Sequence, residues 1–80
     1  MKHMLTGEAA LEVIQKIGGL DSVAMDTNFL EKGIDSVKIV EILIEFEMMF
    51  NIDVLDDQLN LDELSTPKHI QDYVNGIIAK

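Results

Sequence analysis

The chain has 80 residues, 15 acidic against six basic, for a formal net charge of -9, and 48% of it is hydrophobic. Such a field repels phosphate backbones, so nucleic acid is excluded as an expected ligand and basic protein partners are favoured. Cysteine is absent, which excludes thiolate catalysis and cysteine metal sites and removes any need for an oxidising compartment.

The N-terminal MKHMLTGEAA lacks the apolar core of a signal peptide, and a cytoplasmic protein without membrane insertion is expected. Thr6 is a good N-cap for a first helix running to about residue 17, with Glu8 in the first turn favoured by the helix dipole. Ala10, Val13, Ile14 and Ile17 fall at i, i+3, i+4, i+7 and give it a buried face, and Gly18-Gly19 ends it. Residues 20–34 carry Asp21, Ser22, Asp26, Asn28 and Gly33 without a sustained period and read as a long loop, which Phe29 and Leu30 are expected to pin to the core.

Residues 33–50, GIDSVKIVEILIEFEMMF, form the longest apolar run and open on the helix-start signal Asp35-Ser36. Ile39, Ile42, Leu43, Phe46 and Phe50 make a core-facing stripe. Val37, Val40, Ile44 and Met48 make a second stripe roughly opposite, flanked by Glu41, Glu45 and Glu47. In so small a chain a helix is hardly surrounded, so the second stripe reads as a partner surface: apolar contact area bordered by acids that steer towards Lys or Arg.

After a short connector over 51–54, Asp56 is expected to cap a brief third helix around 57–61, with Leu59, Leu61 and Leu64 as its apolar contacts. Ser65-Thr66-Pro67 is a restart, with Thr66 as N-cap and Pro67 at the first helical position. The last helix runs to about residue 79 and buries Ile70, Tyr73 or Val74, Ile77 and Ile78, although Gly76 weakens it by about 1 kcal/mol relative to Ala. The expectation is all-α: a small four-helix bundle with a short third helix and a long loop between helices 1 and 2, forming one domain over residues 1–80.

His3 and His69 have no second histidine or cysteine at ligand spacing. A calcium loop starting at Asp56 would need Gly at its sixth position and Glu at its twelfth, where Leu61 and Pro67 stand, so no metal site is expected. Ser36 taken alone reads as the N-cap of the central helix. Its surroundings say more. Asp26-Thr27-Asn28-Phe29-Leu30-Glu31-Lys32-Gly33-Ile34-Asp35-Ser36-Val37 resembles the D-x-N-F-x-E-L-G-x-D-S-L pattern of phosphopantetheine-dependent carrier domains, the acyl and peptidyl carrier proteins. The same tripeptide at Asp21-Ser22-Val23 lacks the preceding Gly and the following helix, so Ser22 reads as a loop residue.

The resemblance implies that Gly33, Asp35 and Ser36 form the attachment site of a 4′-phosphopantetheine arm taken from coenzyme A, that Asp35 contacts the transferase, and that the arm holds acyl or aminoacyl groups as thioesters. A favourable place for the resulting phosphodiester is the helix N-terminus. The chain would then be a carrier protein and not an enzyme, a monomer presenting cargo to loading and processing enzymes of fatty-acid, polyketide or related biosynthesis through basic docking patches. Lys32 and Val37 stand where the pattern has Leu, and Lys38, Met48 and Met49 stand where fatty-acid carriers tend to place acids, so a specialised carrier is favoured over a housekeeping one. The alternative is an acidic helical adaptor that uses the same exposed stripe and bears no prosthetic group.

Overall fold

Each helix starts where a short polar side chain can accept from a backbone N–H that the helix itself leaves unpaired. In the computed structural model, which describes residues 4–55 and 59–79, Thr6 caps α1 (Gly7–Gly18) by accepting from Ala9 N–H at 3.1 Å. Asp35 caps α2 (Ser36–Phe50), and Thr66 caps α3 (Pro67–Ile78), whose first residue is the proline. Two single 3₁₀ turns, Phe29–Lys32 and Leu61–Glu63, lie in the segments between them, each capped by an asparagine, Asn28 and Asn60. No strand occurs among the described residues. The fold is the expected small all-α bundle with a long first loop. The short third element is the Leu61–Glu63 turn, four residues after the expected start; the expected cap Asp56 lies outside the described residues.

The helices pack because their apolar faces share one core. Ala10 and Ile14 of α1, Ile39, Ile42, Leu43 and Phe46 of α2, and Ile70, Val74 and Ile78 of α3 are buried together. Val13, Ile17, Phe50, Tyr73 and Ile77 are only half-buried at its margin, so Val74 and not Tyr73 is the inward residue of α3. The segments outside the helices contribute to it too: Leu5, Phe29, Ile34, Val54 and Leu64 are all buried. Leu30 departs from expectation. It is 79% exposed, because the 3₁₀ turn points successive side chains in different directions and only Phe29 can face inward. At the end of α1 a Cβ on Gly18 would stand 3.0 Å from Ile34 Cδ1, so glycine there lets Ile34 close on the helix.

Two polar latches hold the non-helical segments. Leu5 N–H donates to Asn75 Oδ1 at 2.6 Å, and Leu5 O accepts from Asn75 Nδ2 and Gln71 Nε2, both at 3.0 Å, so α3 satisfies the backbone of the segment before α1. Val54 is held likewise: its N–H donates to Glu47 Oε2 at 3.1 Å and its carbonyl accepts from Tyr73 Oη at 2.6 Å. Among the described residues no buried side-chain polar atom lacks a partner.

Phe46→Ala opens a hole in the middle of this core and should cost about 3–5 kcal/mol, enough to unfold much of a chain this size. Asn75→Ala should cost about 1–3 kcal/mol, since it strands the N–H of buried Leu5 and leaves its carbonyl with Gln71 Nε2 alone. Urea unfolding midpoints at constant slope measure both.

Candidate attachment site

The segment before α2 is built residue by residue towards Ser36. Asn28 Oδ1 accepts from Leu30 N–H at 2.9 Å and starts the turn, while Phe29 N–H donates to Ser65 O at 2.9 Å and ties the turn to the start of α3. Gly33 ends the turn at φ 76°, a left-handed conformation that costs an L side chain on the order of 1–2 kcal/mol. No atom lies within 4 Å of where its Cβ would be, so the backbone angle and not space is what requires glycine. Ile34 then turns back, donating its N–H to Phe29 O at 2.9 Å and burying its side chain. Asp35 is thereby delivered to the mouth of α2.

Asp35 Oδ1 accepts from Lys38 N–H at 3.1 Å, and the Asp35 carbonyl accepts from Ile39 N–H at 3.1 Å. Asp35 is therefore the N-cap, and the reading of Ser36 as cap is corrected. Ser36 is the first helical residue, exposed, and its hydroxyl makes no hydrogen bond among the described residues. The reason is stereochemical: the cap must sit in extended backbone, as Asp35 does at ψ −178°, and its side chain must reach three residues forward. A cleft of about 280 Å³ opens beside Ser36. Phe29, Leu30, Ile34, Ile39, Leu61 and Leu64 line its apolar part, and Asp35, Ser36, Asp62 and Ser65 its polar part.

The outward strip of α2 is narrower than the sequence predicts. Val37, Ile44 and Met48 are exposed, and Glu41 beside them is exposed and paired with Lys38 at 3.3 Å. Val40, Glu45 and Glu47 are half-buried at the edges. At 100° per residue Val40 and Glu47, seven apart, share one edge, and the Glu47 carboxylate is taken up by Val54 N–H. Glu45 lies on the other edge, in a groove with Glu12, Val13, Lys16, Ile17 and Met49. His69 is exposed, with Nδ1 3.2 Å from Ser65 Oγ, and His3 lies outside the described residues. No group of three or more potential metal-binding side chains occurs among the described residues, and no helix there is long and apolar enough to cross a membrane.

A family model described as "Phosphopantetheine attachment site" matches residues 8–74. The chain belongs to the phosphopantetheine-binding carrier family. As a carrier it bears 4′-phosphopantetheine and partners with transferases and biosynthetic enzymes. It is similar to a D-alanyl carrier protein of Leuconostoc citreum, 36% identical over 78 residues, covering 95% of this chain and all of that one. A second D-alanyl carrier protein, from Leuconostoc mesenteroides, is 37% identical over 74 residues, covering 90% of this chain and 95% of that one. In fold this carrier is similar to the solution structure of the 3-oxo-butyl acyl carrier protein of the actinorhodin polyketide synthase of Streptomyces coelicolor, with TM-score 0.79, 24% identity and coverage of 99% and 96%. The holo form of the actinorhodin carrier from S. coelicolor gives TM-score 0.77 at 22% identity with the same coverage.

Because Asp35 and not Ser36 holds the helix start, Asp35→Ala should destabilise the carrier by about 1 kcal/mol and Ser36→Ala by no more than a few tenths, read from thermal unfolding of the two apo variants. Equal losses would return the cap to Ser36.

Proposed function

We propose that Ser36 is the attachment residue and that the chain is a specialised carrier of a small aminoacyl group, with D-alanine as its first candidate cargo. The observation that carries the first half is the division of labour at the start of α2: Asp35 takes the capping duty, which leaves the Ser36 hydroxyl exposed and unpaired among the described residues. Attachment forms a bond from Ser36 Oγ to phosphorus as the phosphoanhydride of coenzyme A breaks, with the nucleoside bisphosphate leaving and the hydroxyl proton passing to the transferase. The phosphodiester then lies at the N-terminus of α2, where unpaired N–H groups and the helix dipole favour an anion. Bound there, the group supplies a flexible arm with a terminal thiol that holds the cargo as a thioester, so that a docked enzyme meets it at high effective concentration. Gly33 and Ile34 fix the approach to the site.

What supports the cargo half is the run of D-alanyl carrier proteins at 36–37% identity over nearly the whole chain. Docking is assigned to Val37, Ile44 and Met48 for contact and Glu41 for steering, with a partner that presents an apolar patch bordered by Lys or Arg. Val40 and Glu45 form the edges of that surface, and Glu47 serves the fold.

Incubation with coenzyme A and a broad-specificity phosphopantetheinyl transferase, followed by intact-mass spectrometry, should show one added group on the wild type and on Ser22→Ala and none on Ser36→Ala. Labelling of Ser36→Ala overturns the attachment residue. The loading enzyme of a D-alanyl carrier protein, given ATP and D-alanine, should then charge the holo chain, and loading by malonyl transfer alone would overturn the cargo class.

Ile44→Asp should slow modification on the order of tenfold or more while changing stability by about 1 kcal/mol at most. Glu41→Lys should act more mildly, through association rate, with an effect that shrinks as salt rises. Transfer kinetics across a salt series beside thermal unfolding separate these outcomes from simple loss of fold.

A further inference from the structure

The chain has five methionines and no cysteine, so before modification its sulfur chemistry is thioether chemistry. Met4, before α1, is 49% exposed, and two further thioethers, Met48 and Met49, are adjacent on α2 and stand 67% and 49% exposed. They face different ways. Met48 closes the outward strip with Val37 and Ile44, and Met49 lies in the groove between α1 and α2 with Val13 and Ile17. Met25 is half-buried, with its sulfur 3.6 Å from where a Cβ on Gly7 would stand. An oxidant from solution therefore meets the proposed docking strip before it meets a packed sulfur.

We propose that Met48 is a site of reversible sulfoxidation by hydroperoxides, and that the sulfoxide weakens docking on this strip; the proposal rests on the docking role given to Val37, Ile44 and Met48 above. In the step, a sulfur lone pair attacks one peroxide oxygen, the S–O bond forms and the O–O bond breaks. The proton on the transferred oxygen passes to the departing hydroxide, so hydrogen peroxide leaves as water, the sulfur having lost two electrons and the peroxide gained them. Reversal consumes two thiols, which become a disulfide as the oxygen leaves as water. The consequence follows from polarity. Methionine supplies a flexible apolar contact, whereas its sulfoxide is a strong acceptor that loses free energy when a partner covers it without a donor. The bundle itself is spared, because Met48 takes no part in the buried core.

The test uses the full apo chain, since an arm thiol would also consume peroxide. Titration with hydrogen peroxide and peptide mapping should find Met48 oxidised well ahead of Met25, with the far-ultraviolet circular dichroism unchanged. The rate of coenzyme A-dependent modification at subsaturating carrier should fall on the order of fivefold or more, the effect of spoiling one well-packed interface side chain. Methionine sulfoxide reductases of both epimer specificities with a thiol reductant should restore it. The ratio of treated to untreated rate should stay near one in Met48→Leu and remain low in Met49→Leu and Met4→Leu. Complete oxidation of Met48 with an unchanged rate overturns the proposal, as does a rate loss that persists in Met48→Leu. Ile44→Asp, unoxidised, tells the two failures apart: if it slows transfer the strip docks and only the redox effect is gone, and if it does not the docking role itself is gone.

Discussion

The hydrogen bond from Lys38 N–H to the Asp35 carboxylate is the contact on which the functional end of this molecule depends. A helix N-terminus must find acceptors for its first N–H groups, and a serine at that junction is an obvious candidate for the duty. Here an aspartate one residue earlier performs it, and the serine becomes the first helical residue with its hydroxyl in solvent. In the proposed attachment, that oxygen takes a bulky phosphodiester without giving up a contact the fold needs. The rest of the loop serves this placement. Phe29 is buried and tied to Ser65, Gly33 reverses the chain in a left-handed turn, and Ile34 drops into the core against the end of α1.

A charge of -9 on 80 residues would be a liability if every acid were asked to do the same thing. The acids of α2 are instead divided by helix geometry. Glu47 accepts from Val54 N–H and fixes the connector after α2, Glu45 borders the groove against α1, and Glu41 alone stands on the outward strip, in a solvent-exposed pair with Lys38. That pair is worth less than about 1 kcal/mol in the free protein, so a partner's cation can displace Lys38 at little cost. As the proposed docking surface, an outward strip of three apolar side chains with one loosely held acid suits brief, repeated encounters better than a permanent complex.

The helices were legible in the sequence because their signals are local. Thr6, Thr66 and Pro67 mark starts, Gly18-Gly19 marks an end, and the i, i+3, i+4 apolar spacing marks the inward faces of all three. The family resemblance is legible for the same reason, its motif being contiguous from Asp26 to Val37. What escaped depends on contacts distant along the chain. Burial of Leu5 and Val54 is decided by Asn75, Gln71, Glu47 and Tyr73, up to 70 residues away, and no periodicity announces it. The exposure of Leu30 is not legible, because hydropathy alone cannot tell which of two adjacent apolar residues in a 3₁₀ turn faces the core. The cap reads one residue late in the sequence, since Asp and Ser are nearly equal in preference and only backbone angles separate them.

The central claim is that the start of α2 is held independently of the Ser36 hydroxyl, and the most direct measurement of it is amide hydrogen exchange at Lys38, followed by nuclear magnetic resonance in the apo, phosphopantetheinylated, Ser36→Ala and Asp35→Ala forms. The account predicts the same protection of the Lys38 N–H in the first three, because each retains the Asp35 acceptor, and its loss in Asp35→Ala alone. Protection that survives Asp35→Ala but disappears on modification or in Ser36→Ala would contradict it.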